Sequence, residues 1–189
     1  MKAVFRSAQE WKRLLKNNYE PLQEVYGECC RERSAVLLDG LRFFREVCQD
    51  SSPLCIFRSP ARINLRGMHV DKHGGSCNGV AINRETVLYA TQPSQKHVVT
   101  LASKVHGTLS ISLQDVSRIN PQQKQGWEKY VYAAIQAVMK KFAIQQGFTA
   151  CVVSDIPQGS GLSSSHSFII SVLCVLLQFN GIDFRGMSS

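Results

Sequence analysis

The sequence has no Cys-x-x-Cys pair, and its seven cysteines are odd in number. Both facts argue against a disulfide framework and for a reduced, cytoplasmic protein. Cys151 and Cys174 sit inside apolar runs, as buried free thiols do. Residues 1–20 carry no apolar core of the secretory-signal type. The longest apolar run, Phe168 to Leu177, falls well short of the roughly 20 residues that span a bilayer. Repeats and low-complexity tracts are absent. So is any block of five or six like charges, or an RNA-binding aromatic motif. Yet 22 basic residues face 14 acidic ones, a net charge of +8. Scattered in this way, that charge suits a small anion such as a nucleotide better than a nucleic acid. At 189 residues and 44% hydrophobic, the chain can bury a core unaided.

Against that background one stretch stands out: Ile156-Pro157-Gln158-Gly159-Ser160-Gly161-Leu162-Ser163-Ser164-Ser165. Strand character (149–154) leads into it and an apolar run leaves it. Strand, glycine-rich loop, then helix aims free backbone N–H groups and a positive dipole end at an anion. Gly159 and Gly161 lack Cβ and allow the sharp turn and close approach. Three serine hydroxyls add donors, and one can ligate Mg²⁺. A loop ending in a plain serine N-cap is the alternative.

The rest of the chain supplies a frame. Ser7 and Glu10 form a capping box that opens a helix through Trp11, Leu14 and Leu15, ending at Asn17-Asn18. A second helix is expected over 32–48, from Val36, Leu37, Leu41, Phe44 and Val47, with Gly40 inside it. Ser51-Ser52-Pro53 is a linker, so residues 1–52 are expected to be a helical packing extension of the 53–189 domain. Strands are expected at 54–58 and 62–66, broken by Ser59-Pro60-Ala61, and again at 79–91. A hairpin pairs 98–103 with 108–113. Trp127 opens a helix bearing Val131, Ala134, Ile135, Val138 and Phe142, and Gly147 follows it. The last helix, apolar all round, is expected to be fully buried. Strands precede helices, which gives an α+β class.

A second polar cluster lies at 59–75. Arg62 and Asn64 share one face of an extended chain, and His69 and Asp71 repeat the spacing. Such groups can hold a polyhydroxylated ligand. His69-x-Asp71-x-His73 also has zinc-ligand spacing, but no fourth ligand is evident.

Together the two stretches resemble the GHMP kinases, on their galactokinase branch. The family opens with Pro-Gly-Arg-Val-Asn-Leu-Ile-Gly-Glu-His-Thr-Asp-Tyr-x-Gly-Gly. Here Pro60-Ala61-Arg62-Ile63-Asn64-Leu65-Arg66-Gly67-Met68-His69-Val70-Asp71-Lys72-His73-Gly74-Gly75 stands in that place. The family's Pro-x-Gly-x-Gly-Leu-Ser-Ser-Ser loop is matched by Pro157 to Ser165. Trp127 and Tyr130 lie between the two, as in galactokinases. The resemblance implies the family's N-terminal fold, a mixed sheet packed by helices, similar to a ribosomal-protein fold. It implies transfer of the ATP γ-phosphate to a sugar hydroxyl. Pro157, Gly159, Ser160, Gly161, Leu162, Ser163, Ser164 and Ser165 would bind ATP, with Ser164 on Mg²⁺ and Trp127 near the adenine. Arg62 would be catalytic, and Asn64, His69, Asp71 and Gly74 would bind sugar.

Three departures qualify the match. Met68 stands where galactokinases carry a glutamate, and a thioether cannot replace that acceptor. Ala61 replaces a glycine, and Lys72-His73 replace Tyr-Asn. The family's catalytic aspartate, in a Cys-Asp-Gln-type segment, has no counterpart before Ser189, since Asp183 does not match. The expectation is therefore the N-terminal portion of such a kinase, with little activity alone. The alternative is a non-catalytic sugar or nucleotide sensor acting through a protein partner. An exposed face of the last helix and self-association through it are further expectations, with no membrane contact.

Overall fold

In the computed structural model, residues 3–17, 20–48, 52–67 and 73–183 are described. Three helices come first: α1 (Ala8–Lys16), α2 (Glu20–Tyr26) and α3 (Cys30–Val47). The capping box at Ser7 forms as expected, with the Glu10 carboxylate accepting from the Ser7 N–H at 2.9 Å and the Ser7 hydroxyl accepting from the Glu10 N–H at 3.2 Å. The spacing signal missed α2 and placed the start of α3 two residues late.

A five-stranded mixed sheet follows, made of β1 (Leu54–Arg66), β2 (Asn78–Thr91), β3 (Val98–Ser103), β4 (Gly107–Ser112) and β5 (Phe148–Ser154). Its order is β1-β2-β5-β3-β4, and only the β3–β5 pair is parallel. Helix α4 (Glu128–Met139) crosses between β4 and β5, and α5 (Ser164–Phe179) ends the described fold. Helix α4 ends before Phe142, which lies beyond its last turn, a correction to the expected helix.

Alternation along the strands divides the core in two. Leu88, Ala90, Ala150 and Val152 face α4 and α5, where they meet Val131, Ile135, Val172 and Leu176. Val87, Tyr89 and Cys151 face the N-terminal helices, where they meet Trp11, Leu37, Leu41 and Phe44. Helices α1, α2 and α3 thus supply a layer for the second face of the sheet. An Arg6–Leu54 bridge and a 2.9 Å bond from Trp11 Nε1 to the Leu54 carbonyl tie that layer to β1. All seven cysteines are free, and burial pushes the Cys55 thiol up to about 12.

Gly40 is explained by this packing. A Cβ there would lie 2.4 Å from Tyr89 Oη, whose hydroxyl donates to the Leu37 carbonyl at 2.8 Å. Tyr89 is fully buried and cannot swing aside. Gly40→Ala should therefore destabilise the fold by about 1–3 kcal/mol, despite alanine's better helix propensity. A lowered urea midpoint at unchanged m-value is the measurement.

Two expectations are corrected. The Ser59-Pro60-Ala61 break is not a loop: β1 runs through it as one strand. Proline is tolerated because β1 is an edge strand. The register slips there, with Pro60 opposite Glu85 and Arg62 opposite Ala81. The last helix is also not fully buried, and its exposed apolar face is the one expected of its far side. Ile170 is 51% exposed, and Ile169, Leu173 and Cys174 are half-buried. Among the described residues no helix is long and apolar enough to cross a membrane.

Candidate phosphate-binding and sugar-binding site

Strand β5 delivers the chain to the glycine-rich loop, and α5 carries it away. Between them Gly159, Gly161 and Ser163 all take positive φ, at 71°, 76° and 65°. Alternation of that kind can turn successive N–H groups toward one concavity, the arrangement of an anion-binding nest. Among the described residues Ser163 is the only non-glycine with positive φ. It is also the N-cap of α5, and its side chain makes no capping bond. Strain of this kind costs about 1–3 kcal/mol and concentrates at ligand clamps. A Cβ added at Gly159 or Gly161 would meet nothing within 4 Å. Their glycines therefore serve the backbone turn and leave the concavity open to a ligand.

Arg62 comes to this loop from the sheet. Its N–H donates to the Leu162 carbonyl at 3.3 Å, and its Nε donates to Ser163 Oγ at 3.2 Å. The register slip before Arg62 re-aims the strand, as irregularities of pairing do. One turn into α5 the buried Ser167 hydroxyl donates to the Ser59 carbonyl at 2.6 Å. Helix, loop and strand are thus bonded to one another on both sides of the slip. Ser160 Oγ closes the loop on the Pro157 carbonyl at 2.7 Å. The hydroxyls of Ser164 and Ser165 make no hydrogen bond among the described residues. Hydroxyl oxygens are hard donors of the type Mg²⁺ takes, so these residues fit that ion.

Trp127 lies at the other rim. Its ring stacks on His106 at 5.7 Å and meets Phe168 of α5 at 5.7 Å. Gln158 of the loop lies 3.0 Å from the His106 ring. The stacked Trp127 and His106 rings therefore border the loop at Gln158. Beyond the sheet, β1 and β2 continue as a projecting arm. Asn64 pairs with Gly79 there, on the same face as Arg62, while Ile63, Leu65 and Val80 are exposed. Gly74 takes a φ of +75° and has open space around it. His69 and Asp71 lie outside the described residues, as does Met68.

One feature at the site escaped sequence reasoning. Asp155, two residues before Pro157, accepts from the Arg33 guanidinium, from Arg84 at 3.3 Å and from the Glu85 N–H at 2.7 Å. Glu85, 2% exposed, accepts from Arg33 at 2.9 Å, from Arg58 at 2.7 Å and from the Tyr26 hydroxyl. Burial alone would raise the Asp155 carboxyl, but bonds from Arg33 and the Glu85 N–H hold it below its ordinary value. Burial, then the Glu85 carboxylate, push the Tyr26 phenol up. The loop thus starts from a fixed carboxylate. A signal was present: Arg33 lies on the same stripe as Leu37, Leu41 and Phe44, where a helix facing a core carries no charge unless it is paired.

A mixed sheet backed by two helices, with a nest loop between its central strand and a helix, defines the N-terminal fold of the GHMP kinases. The family model of the GHMP kinase N-terminal domain matches residues 129–187, and the galactokinase galactose-binding signature matches residues 42–92. The galactokinase of Lactococcus lactis subsp. lactis (strain IL1403) is 34% identical over 148 residues, covering 77% of this chain and 36% of that protein. The galactokinase of Roseiflexus sp. (strain RS-1) is 29% identical over 134 residues, 71% of this chain and 33% of that one. The crystal structure of Lactococcus lactis galactokinase complexed with galactose superposes with a TM-score of 0.69 at 30% identity, covering 79% of this chain and 39% of that one. Methanococcus jannaschii mevalonate kinase shares the fold, with a TM-score of 0.59 at 24% identity over 69% of this chain and 41% of that one. The chain belongs to the GHMP kinase family and is galactokinase-like. It spans about a third of the length of the curated relatives it matches.

Proposed function

We propose that this chain supplies the triphosphate cradle and part of the sugar-binding surface of a galactokinase-type kinase, which moves the γ-phosphate of ATP to a sugar hydroxyl. The observation that carries this reading is the pair of hydrogen bonds that Arg62 donates to the loop, at Leu162 and Ser163. It puts a guanidinium beside a nest of N–H donors. Phosphoryl transfer needs positioning and charge neutralisation more than covalent chemistry. In this reading the N–H groups of 159–165 and the α5 dipole hold phosphate oxygens. Arg62 orients the transferred group and offsets its charge. Trp127 borders the base, and Asn64, His69, Asp71 and Gly74 meet the sugar. Ser164 holds Mg²⁺, which supplies neutralisation of the phosphate charge. Free thiols fit a reducing compartment, and the cytoplasm is proposed.

Calorimetry with Mg-ATP tests the cradle. Binding is expected, and Arg62→Ala should weaken it about tenfold, the value of one charge-assisted hydrogen bond. A folded protein with no affinity for Mg-ATP would overturn the reading. Met68 favours a second reading, because the family's glutamate acceptor is missing there. In that reading the protein is a sensor that binds sugar and nucleotide and signals through a partner. A γ-phosphate transfer assay against hexoses and pentoses separates the two: turnover marks a kinase, and binding without turnover marks a sensor.

A further inference from the structure

A groove of about 500 Å³ runs between α1 and α3, on the face of the sheet opposite α5. Lys12 and Lys16 line one wall, four residues apart on α1. Arg42 and Arg45 line the other, three apart on α3. Side chains at those spacings stand one above the other on a helix. Half-buried Leu38 forms the floor, with Leu41, 2% exposed, beneath it. Glu46 is the one acidic lining residue. Asp39, nearby, is shared between Arg42 at 3.5 Å and Lys104 at 3.2 Å. Lys12, Lys16 and Arg45 have no ion-pair partner among the described residues. Two parallel rows of cations over an apolar floor are more than a solvated helix face requires. From Arg33, which reaches the phosphate loop's entry, Arg45 is twelve residues or about 18 Å along the α3 axis. The groove is thus separate from the nucleotide site.

We propose that this groove docks an acidic amphipathic helix of a partner protein, with its apolar stripe on Leu38 and carboxylates on both flanks. Charge complementarity commits the groove to an acidic occupant. The half-buried Leu38 floor suits an occupant with an apolar stripe along one side. No lining residue is aromatic, so a single-stranded nucleic acid would find no ring to stack on. Apart from Leu38 and Leu41 no lining residue is apolar, so the lining holds no aromatic or aliphatic wedge for a bilayer.

The test is fluorescence anisotropy of the full chain with a labelled synthetic helix of about four turns, bearing leucines on one stripe and glutamates on both flanks. Controls are a scrambled peptide of the same composition, a single-stranded RNA of equal charge, and vesicles of phosphatidylserine and phosphatidylcholine. Saturable binding that weakens at least tenfold in Lys16→Glu/Arg45→Glu, and about as much for the scrambled peptide, is the expected result. Both substitutions lie on exposed positions, so an unchanged thermal unfolding curve confirms that the variant is folded. If it is not, Lys16→Gln/Arg45→Gln takes its place, with a smaller but measurable weakening. Equal binding of ordered and scrambled peptides overturns the proposal. So does absence of peptide binding, insensitivity to the charge changes, or tighter, Lys16- and Arg45-dependent binding of the RNA or the vesicles. Gly161→Val should leave peptide binding unchanged, since the loop plays no part in it.

Discussion

Replacing Arg33 by alanine should cost about 3–5 kcal/mol of folding stability, the usual effect of removing one partner from a buried ion pair. Arg33 is 1% exposed and Glu85 is 2% exposed. Without the guanidinium, Glu85 keeps Arg58 and the Tyr26 hydroxyl, and Asp155 keeps Arg84 and one backbone donor. Two carboxylates would then lie close together with one buried cation fewer. For a chain of this size the loss corresponds to a fall in Tm of roughly 6–20 °C. Arg33→Lys should recover only part of it, because an ammonium cannot fork to two carboxylates.

Acid titration gives this prediction a second readout. The Asp155 carboxyl is held below its ordinary value of 3.8 in the folded protein. A lowered carboxylate stabilises the fold fully above the ordinary value and loses that contribution as pH falls through the folded one. The urea midpoint of the wild type should therefore drop steeply on the acid side of 3.8. In Arg33→Ala the Asp155 carboxyl loses its strongest partner, so the drop should be shallower. Equal acid slopes in the two proteins would remove Arg33 as the cause.

The second large effect is expected at the loop. Gly161→Val should lower Mg-ATP affinity about a hundredfold while costing only about 1–2 kcal/mol of stability, the penalty of a left-handed conformation for a side-chain-bearing residue. Gly161 has a φ of 76°, and a β-branched residue avoids that region. Nothing in the protein crowds the position, so the substitution needs no repacking. The loop would relax to negative φ, and the N–H groups of 159–163 would no longer point into one concavity. Gly161→Ala should fall between the two. Calorimetry for affinity and urea denaturation for stability separate the effects.

Much of this architecture could be anticipated from local patterns. Ser7 and Glu10 marked the first helix because both capping bonds lie within four residues. The glycines at 159 and 161 marked the loop because backbone conformation alone demands them. The hairpin turning at 104–107 and the α4 stripe were visible for the same reason. Long-range pairing left weaker traces. Arg33 meets residues 52 and 122 positions away, and no periodicity encodes such a meeting. Pro60 suggested a break because a proline interrupts most strands. Only the sheet order, which puts β1 at the edge, shows why it does not. The all-round apolar composition of α5 pointed to full burial and, with the family's catalytic segment unmatched, to an exposed far side; composition could not say that Ile170 would be the residue left out.

The backbone bond from Arg62 to the Leu162 carbonyl has a use in the laboratory. It crosses from the edge strand to the loop, so the loop cannot lift without exposing that amide to solvent. Deuterium uptake at this single position is then a clock for loop opening. It should slow when the loop is pinned from above, and it should quicken when the valine at 161 unsettles the turn.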